Sequence, residues 1–183
     1  MALVHHPVTD KNGEVIASAV TNLDLHDISR VARTYGAKGF YVVTPLEDQK
    51  ELVRRIVAHW IDGYGGQYNP KRREALELIR IQDTLDAAID DIGRHEGLRP
   101  VTVATTAREH PRGLTFGEMQ GKMRGHEPYL LVLGTAWGLT AEVVETMDVV
   151  LEPIRGNDGY NHLPVRAAAA IILDRLTGEN DRG

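Results

Sequence analysis

The sequence predicts a single α/β domain over residues 1–183, with a mostly parallel sheet flanked by helices. Three observations carry this. Short, continuously apolar runs such as PVTVA (100–104) and YLLVL (129–133) lack the polar alternation of a strand with one wet face, so both of their faces are expected to be covered. Helix-like stretches separate these runs throughout, the order from which parallel strands and crossover helices are built. No internal repeat, low-complexity tract or polar linker divides the chain, and its length suits one domain.

In chain order, 14–21 (EVIASAVT) carries the valine and isoleucine alternation of a strand. A helix over 23–35 follows, with Asn22 or Asp24 as N-cap and Gly36 as its stop. The run 39–44 (GFYVVT) is a strand, and Pro45 opens a helix to about residue 61. Glycine, tyrosine and asparagine crowd 62–71 (DGYGGQYNPK), which predicts an ordered loop. A strand is expected over 76–81, a helix over 84–94, a buried strand over 100–104 and a helix over 115–123. The strand 129–133, a helix over 140–147, a strand over 148–151 and a last helix over 163–176 complete the order. Ligands of such sheets gather beyond the carboxyl ends of strands, so a site is expected after Thr44, Ala104, Leu133 and Leu151.

Hydrophobic residues make up 42% of the chain and charged residues 26%, ordinary globular values. Cysteine is absent, which excludes disulfides and thiol catalysis and suits a reducing compartment. The first residues (MALVHHPVTDKNGE) lack the succession of a secretory signal, and the most apolar stretch, 129–139, is too short and glycine-broken to span a bilayer. A cytoplasmic protein with no membrane partner is expected. Net charge is −5, so no global basic footprint marks a nucleic-acid binder. Local clusters remain at Arg54-Arg55, at Lys71-Arg72-Arg73, and across Arg108, Arg112, Lys122 and Arg124; each alone reads equally as solvated surface charge.

Several chemistries lack their motifs. GYGG (63–66) follows a helix and so is no dinucleotide fingerprint, and GEMQGKM (117–123) falls one residue short of a phosphate loop. HExxH and GxSxG do not occur, and the histidines are scattered, so no metal site is expected. The positive signals lie near the C-terminus. In LLVLGTAWGLT (130–140) an apolar strand runs into Gly134, and Gly138 precedes the next helix. Glycine lets main chain approach a ligand, and amides at a helix start bind polar groups; a tight turn needing glycine only for its angles accounts for the pattern equally. In EPIRGNDGYNHLPVRAAAAIILDRL (152–176) an irregular loop leads into a helix rich in alanine and isoleucine, with Asn161 as its expected cap. Small residues suit that helix to close packing, in the core or across a subunit interface.

Together these two segments resemble the second and third motifs of the SPOUT class of S-adenosylmethionine (SAM)-dependent RNA methyltransferases. The similarity is closest to a bacterial family of unassigned substrate and covers essentially the whole chain. TNLDLHDISRVARTYGAKGFYVVTP (21–45) is the counterpart of the first motif, with Arg30 six residues before Gly36 in the SpoU-like pattern. Asp24, Leu25 and His26 stand where SpoU enzymes carry asparagine and glycine, and Pro164 stands where serine or asparagine is usual. The resemblance implies a C-terminal deep trefoil knot (the alpha-beta knot), a bent SAM held in its loops, an RNA substrate (tRNA or rRNA) and a homodimer completing the site.

Carried over by position, the cofactor residues are Thr105 and Thr106, then Gly134, Thr135, Ala136, Trp137 and Gly138, then Ile154, Arg155, Gly156, Leu163 and Val165. Arg30 becomes the candidate to position the nucleophile, with Asn22 and Asp27 as helpers; it reads equally as an exposed helix arginine paired with Asp27. Because arginine stays protonated, orientation and charge stabilisation suit it better than proton removal. For RNA, Tyr64 and Tyr68 offer base stacking, Lys71, Arg72 and Arg73 offer phosphate contacts, and Arg108 and Arg112 follow the cofactor strand. The 62–73 segment reads equally as a hydrogen-bonded surface loop, and Arg166 supports either the dimer or the site. Two other functions fit the pattern: a SAM-binding regulator without catalysis, and a flavodoxin-like mononucleotide module, which the missing phosphate fingerprints disfavour.

Overall fold

A computed structural model describes residues 1–157 and 159–178. In chain order the elements are β1 (Ala2–Val4), β2 (Val8–Thr9), β3 (Val15–Ile16), α1 (Asn22–Thr34), β4 (Phe40–Val43), α2 (Glu47–Ile61), α3 (Tyr64–Tyr68), α4 (Pro70–Leu76) and β5 (Ile79–Gln82). There follow α5 (Leu85–Glu96), β6 (Val101–Ala104), β7 (Gly113–Leu114), α6 (Phe116–Lys122), β8 (Tyr129–Gly134), α7 (Ala141–Thr146), β9 (Val149–Leu151) and α8 (Val165–Thr177). Seven strands form one sheet in the order β5-β4-β1-β8-β6-β9-β7, and every pairing in it is parallel.

Alternation along the strands divides the core into two layers. Leu3, Phe40, Val42, Leu131, Leu133 and Leu151 face α1 and α8, where Leu25, Ile28, Ala32, Ala169 and Ile172 are buried. Ala2, Val4, Val43, Leu130, Val132 and Val150 face the other way, with Leu85, Ala88 and Ile89 of α5. Both faces are covered, which explains why the strands read as unbroken apolar runs. On α1 the spacing of Leu25, Ile28 and Ala32 forms one helical stripe, so the polar positions between them are left for other work.

The structure corrects several expected elements. The first strand of the sheet is β1, at the very start of the chain: a run of four apolar residues is too short to show a period, yet it pairs with both β4 and β8 at the sheet's centre. Of the strand expected over 14–21, only Val15–Ile16 pairs, antiparallel with Val8–Thr9 in a separate hairpin. The expected loop 62–71 is largely helical, as α3 and α4; Pro70 sits in the first turn of α4 and the Asn69 side chain accepts from the Arg72 amide, a stop-and-restart that mimics loop composition. Leu76 consequently ends a helix, and the strand begins at Ile79. The cap of α1 is Thr21, whose hydroxyl accepts from the Asp24 amide, rather than Asn22 or Asp24. That of α8 is Pro164, not Asn161, and it makes no side-chain bond. Pro164 also pre-sets φ near −62°, so the residue starts the helix without a hydroxyl or amide cap.

Candidate active site at the carboxyl edge of the sheet

Beyond the carboxyl ends of β8, β6 and β9, three loops gather on adjacent strands. In the first, Gly134 ends β8 opposite Val4. A Cβ placed there would lie 2.7 Å from the Gly138 carbonyl carbon and 3.0 Å from its Cα, so only glycine lets the loop fold back so closely. Ala136 (φ 51°) and Gly138 (φ 105°) adopt left-handed backbone to complete the turn. The N-terminal hairpin staples it: the Thr9 amide donates to Gly138 O and the Trp137 amide to Thr9 O, each at 3.0 Å. The Gly138 amide donates to Thr135 O (2.9 Å), and the Thr135 amide and hydroxyl both donate to Val4 O, at 3.1 and 3.0 Å. Amides expected to greet a ligand at Thr135, Trp137 and Gly138 are thus already engaged. What the loop presents outward is the exposed Ala136 and the half-exposed Trp137 ring (56%).

The second and third loops clasp one another. Asn161 Nδ2 donates to Ala107 O (2.9 Å), and Arg155 pairs with Glu109 at 3.0 Å. Thr105 turns its hydroxyl inward to Val132 O (3.0 Å), while Thr106 Oγ1 accepts from the Arg108 amide (3.0 Å). Ile154 and Val165 pack on the core, whereas Gly156 and Leu163 are exposed. With the Thr105 and Thr135 hydroxyls turned inward and Ala136, Trp137, Gly156 and Leu163 exposed, the outward surface of these loops is largely apolar, which suits the flat purine of SAM.

The start of α1 meets the start of α8 beside these loops. Arg166 reaches Asp24 (Nη1 to Oδ1, 3.5 Å) and Asp27 (Nε to Oδ2, 3.6 Å), and Arg30 Nη1 lies 3.8 Å from the other oxygen of Asp27. Asp24 is buried and accepts from the Thr21 hydroxyl at 2.7 Å. Arg30, Asp27 and Arg166 therefore form one chain of charges, while Asn22 stands exposed on the first turn. A recess of about 380 Å³ between α1 and α8 is lined by Asp27, Arg30, Val31, Thr34, Tyr35 and Ala170.

Two histidines near this chain escaped the sequence pattern. His5, at the end of β1, is fully buried; burial pushes its pKa down to about 4, against the opposing pull of the Asp24 carboxylate. His26, edge-on to the Trp60 ring at 5.3 Å, is likewise shifted down, by burial first and then by the charge of Arg72. The sole hint for His5 was a histidine closing an apolar run.

The expected RNA-binding residues divide. Tyr64 and Tyr68 are exposed (73% and 77%) and stacked on one another, ring centres 6.3 Å apart. Beneath them Gly65 packs so tightly that a Cβ would lie 2.9 Å from the Trp60 ring. Lys71 and Arg73 pair with Glu74 and Glu77, Arg72 lies over the Trp60 ring at 5.0 Å, and Arg112 pairs with Glu145 at the end of α7. Arg108 is exposed. Among the described residues, no three His, Asp or Glu side chains assemble as metal ligands would, and no helix is long and apolar enough to cross a membrane.

This arrangement has known relatives. The model of a family described as SAM-dependent RNA methyltransferase matches residues 1–178, and the chain belongs to that family. The chain is 48% identical over 178 residues to a protein named tRNA (guanine-N(1)-)-methyltransferase from Oleidesulfovibrio alaskensis, covering 97% of this chain and 41% of that one. It is 39% identical over 181 residues to an uncharacterised Aquifex aeolicus protein, covering 98% and 88%. The chain thus spans about two fifths of the O. alaskensis relative (41%). Among solved structures, TrmJ from Z. mobilis superposes with a TM-score of 0.60 at 15% identity, over 98% of this chain and 68% of its own. The AdoMet-bound rRNA methyltransferase of Sinorhizobium meliloti does so with a TM-score of 0.55 at 15% identity, over 96% and 54%. The fold is that of the SPOUT methyltransferases.

Proposed function

We propose that the chain methylates a nucleotide of a structured RNA, tRNA or rRNA, with SAM held between the loops after β6, β8 and β9. The observation that carries this reading is the clasp of the loops after β6 and β9, next to the turn after β8 on the adjacent strand, with the Arg30–Asp27–Arg166 chain at the start of α8. The O. alaskensis relative's name favours tRNA, although this chain covers 41% of that protein.

SAM supplies an electrophilic methyl group on a sulfonium, which needs an in-line nucleophile and little acid chemistry. The chain's part is therefore to bind, align and exclude water. Trp137 and Leu163 cover an apolar ring, and those main-chain groups of 134–138 and 154–156 that the turns' own hydrogen bonds leave open hold the adenosyl portion. Arg166, held by Asp24 and Asp27, fixes the start of α8 against α1 and so sets where Arg30 stands. Arg30, paired with Asp27 at 3.8 Å, orients the acceptor nucleotide and stabilises negative charge developing on it. Tyr64 and Tyr68 stack on unpaired bases flanking that nucleotide.

The trefoil knot, the homodimer and a cytoplasmic setting belong to the same proposal. The return of α8 to α1 after β9 supports the knot. The open recess between α1 and α8, with Ala170 in its wall, supports a second subunit docking on that face. Mass spectrometry of nucleosides from cells with and without the gene tests the function: one methylated nucleoside is expected to vanish and to return with the wild-type gene. Identical nucleoside profiles would contradict the proposal.

A further inference from the structure

The turn after β8 does not hold itself. Within 134–138 the closing hydrogen bond runs from the Gly138 amide to Thr135 O (2.9 Å). Against it stands Ala136 at φ 51°, a left-handed backbone that is costly for a residue with a Cβ. Such a conformation persists where its surroundings over-determine it. Here β1 takes the Thr135 amide on Val4 O, and the hairpin of β2 and β3 holds the other side. Thr9 makes the contact: its amide donates to Gly138 O and its carbonyl accepts from the Trp137 amide, both at 3.0 Å. Its hydroxyl also donates to Gly138 O, at 3.4 Å. Val8 bridges Leu139 in the same antiparallel sense, so the turn lies against β2 as a third strand would.

Asp10 closes that hairpin. Its amide donates to Glu14 O (2.9 Å), and its carbonyl accepts from the Gly13 amide (3.1 Å). Its carboxylate Oδ1 accepts from the Asn12 amide (2.7 Å) and from the Glu14 amide (2.9 Å), so the tip 10–14 folds around one side chain. Gly13, at φ 84°, supplies the left-handed step the tip needs. Val8 is fully buried and Ile16 packs on the core, whereas 11–15 is exposed. The base of the hairpin is therefore anchored by packing and its tip by hydrogen bonds. A two-stranded hairpin is marginal by itself, so the register of Thr9 against Val15 depends on the tip staying closed.

We propose that Asp10 is a positioning residue of the methyl transfer: by closing the hairpin it presets the turn 134–138 and so sets the affinity for SAM from outside the donor loop. This rests on 134–138 being the donor loop. With the tip open, Thr9 loses its register, its bonds to the turn weaken, and Ala136 relaxes out of the left-handed region. Only a fraction of molecules then carries the turn the donor fits, and the apparent Kd rises by the inverse of that fraction. Saturating donor refills the preset form, so the rate at saturation is unchanged.

The test compares wild type with Asp10→Ala, Asp10→Asn and Gly13→Val. S-adenosylhomocysteine binding is read by calorimetry, and initial rates use tritiated SAM with total RNA from cells lacking the gene. Asp10→Ala removes the acceptor of the Asn12 and Glu14 amides, and Gly13→Val strains the same tip by an independent route. Both are expected to raise Kd for S-adenosylhomocysteine and KM for SAM about 10-fold, the result of a turn preset in about a tenth of the molecules, with kcat unchanged. Asp10→Asn keeps Oδ1 as an acceptor and should bind as wild type does. Wild-type affinity in folded Asp10→Ala and Gly13→Val, a loss in kcat with KM unmoved, or Asp10→Asn as weak as Asp10→Ala would each overturn the proposal. Hydrogen exchange of wild type gives a reading that needs no variant: the Thr9 and Trp137 amides are expected to exchange more slowly with S-adenosylhomocysteine bound, and equal rates would also overturn it. Failure of wild type to bind S-adenosylhomocysteine would overturn the donor loop itself, a result distinct from these.

Discussion

Replacing Gly134 by alanine puts the most demanding load on the loop geometry. The new methyl would sit 2.7 Å from the Gly138 carbonyl carbon and 3.0 Å from its Cα. Carbon atoms rest at about 3.5–4.0 Å, so the turn must retreat by roughly 1 Å. Backbone, not a flexible side chain, has to move, and the Thr9–Gly138 and Trp137–Thr9 bonds move with it. Overpacking of this kind costs about 1–3 kcal/mol. In a domain of this size that lowers Tm by roughly 2–12 °C. A 1 Å error at the donor loop is worth about 100-fold in transfer rate. The control is Gly93→Ala, inside α5 with nothing within 4 Å of the added methyl. It is expected to stabilise by about 0.5–1 kcal/mol through helix propensity, with activity intact. Thermal melts and S-adenosylhomocysteine titrations of both variants decide the matter. If Gly134→Ala melts and binds like wild type, the turn does not have the tightness described, or is not where the donor sits.

Three further outcomes follow from the same contacts. The His5 pKa of about 4 lies below its ordinary 6.5, so the unfolded chain takes up a proton that the folded one refuses between these values. Stability from the neutral ring is full above about pH 6.5 and is lost as pH falls towards 4, by up to about 3 kcal/mol at 1.4 kcal/mol per unit; urea unfolding of wild type should steepen there relative to His5→Asn, and parallel profiles would contradict the burial. Arg30→Ala, in an ion pair 58% exposed on the arginine side, should change stability by less than about 0.5 kcal/mol and leave S-adenosylhomocysteine affinity intact while reducing transfer; undiminished turnover removes Arg30 from the site. Tyr64→Ala and Tyr68→Ala should weaken RNA binding by about 1–3 kcal/mol per stacked base with Tm unchanged, measured by filter binding at fixed salt; equal affinity would make the pair a surface ornament of α3.

The layered sheet was legible because burial on both faces leaves unbroken apolar runs, as in YLLVL and PVTVA. β1 was not, since three paired residues at the start of the chain carry no period, and its centrality is a matter of long-range pairing with Val43 and Gly134. Helices α3 and α4 hid behind the glycines and Pro70, residues that also compose loops; here Gly65 and Gly66 serve close packing on Trp60. The Asp27–Arg30 pair could be foreseen from helical spacing. Its link to Arg166 could not, because Asp27 and Arg166 lie far apart in the chain and the contact depends on how α8 returns. The engagement of the Trp137 amide by Thr9 of the β2 hairpin and of the Thr135 amide by Val4 was equally invisible, both being tertiary pairings across the length of the chain. His5 shows the same limit: a histidine's burial belongs to packing, not to any motif.

A crystal soaked with S-adenosylhomocysteine addresses the account at its root. Density is predicted between the loops following β6, β8 and β9, against Trp137 and Leu163, with the sulfur directed to the side where Arg30 stands. Clear density elsewhere on the molecule, or none at saturating ligand, would contradict it.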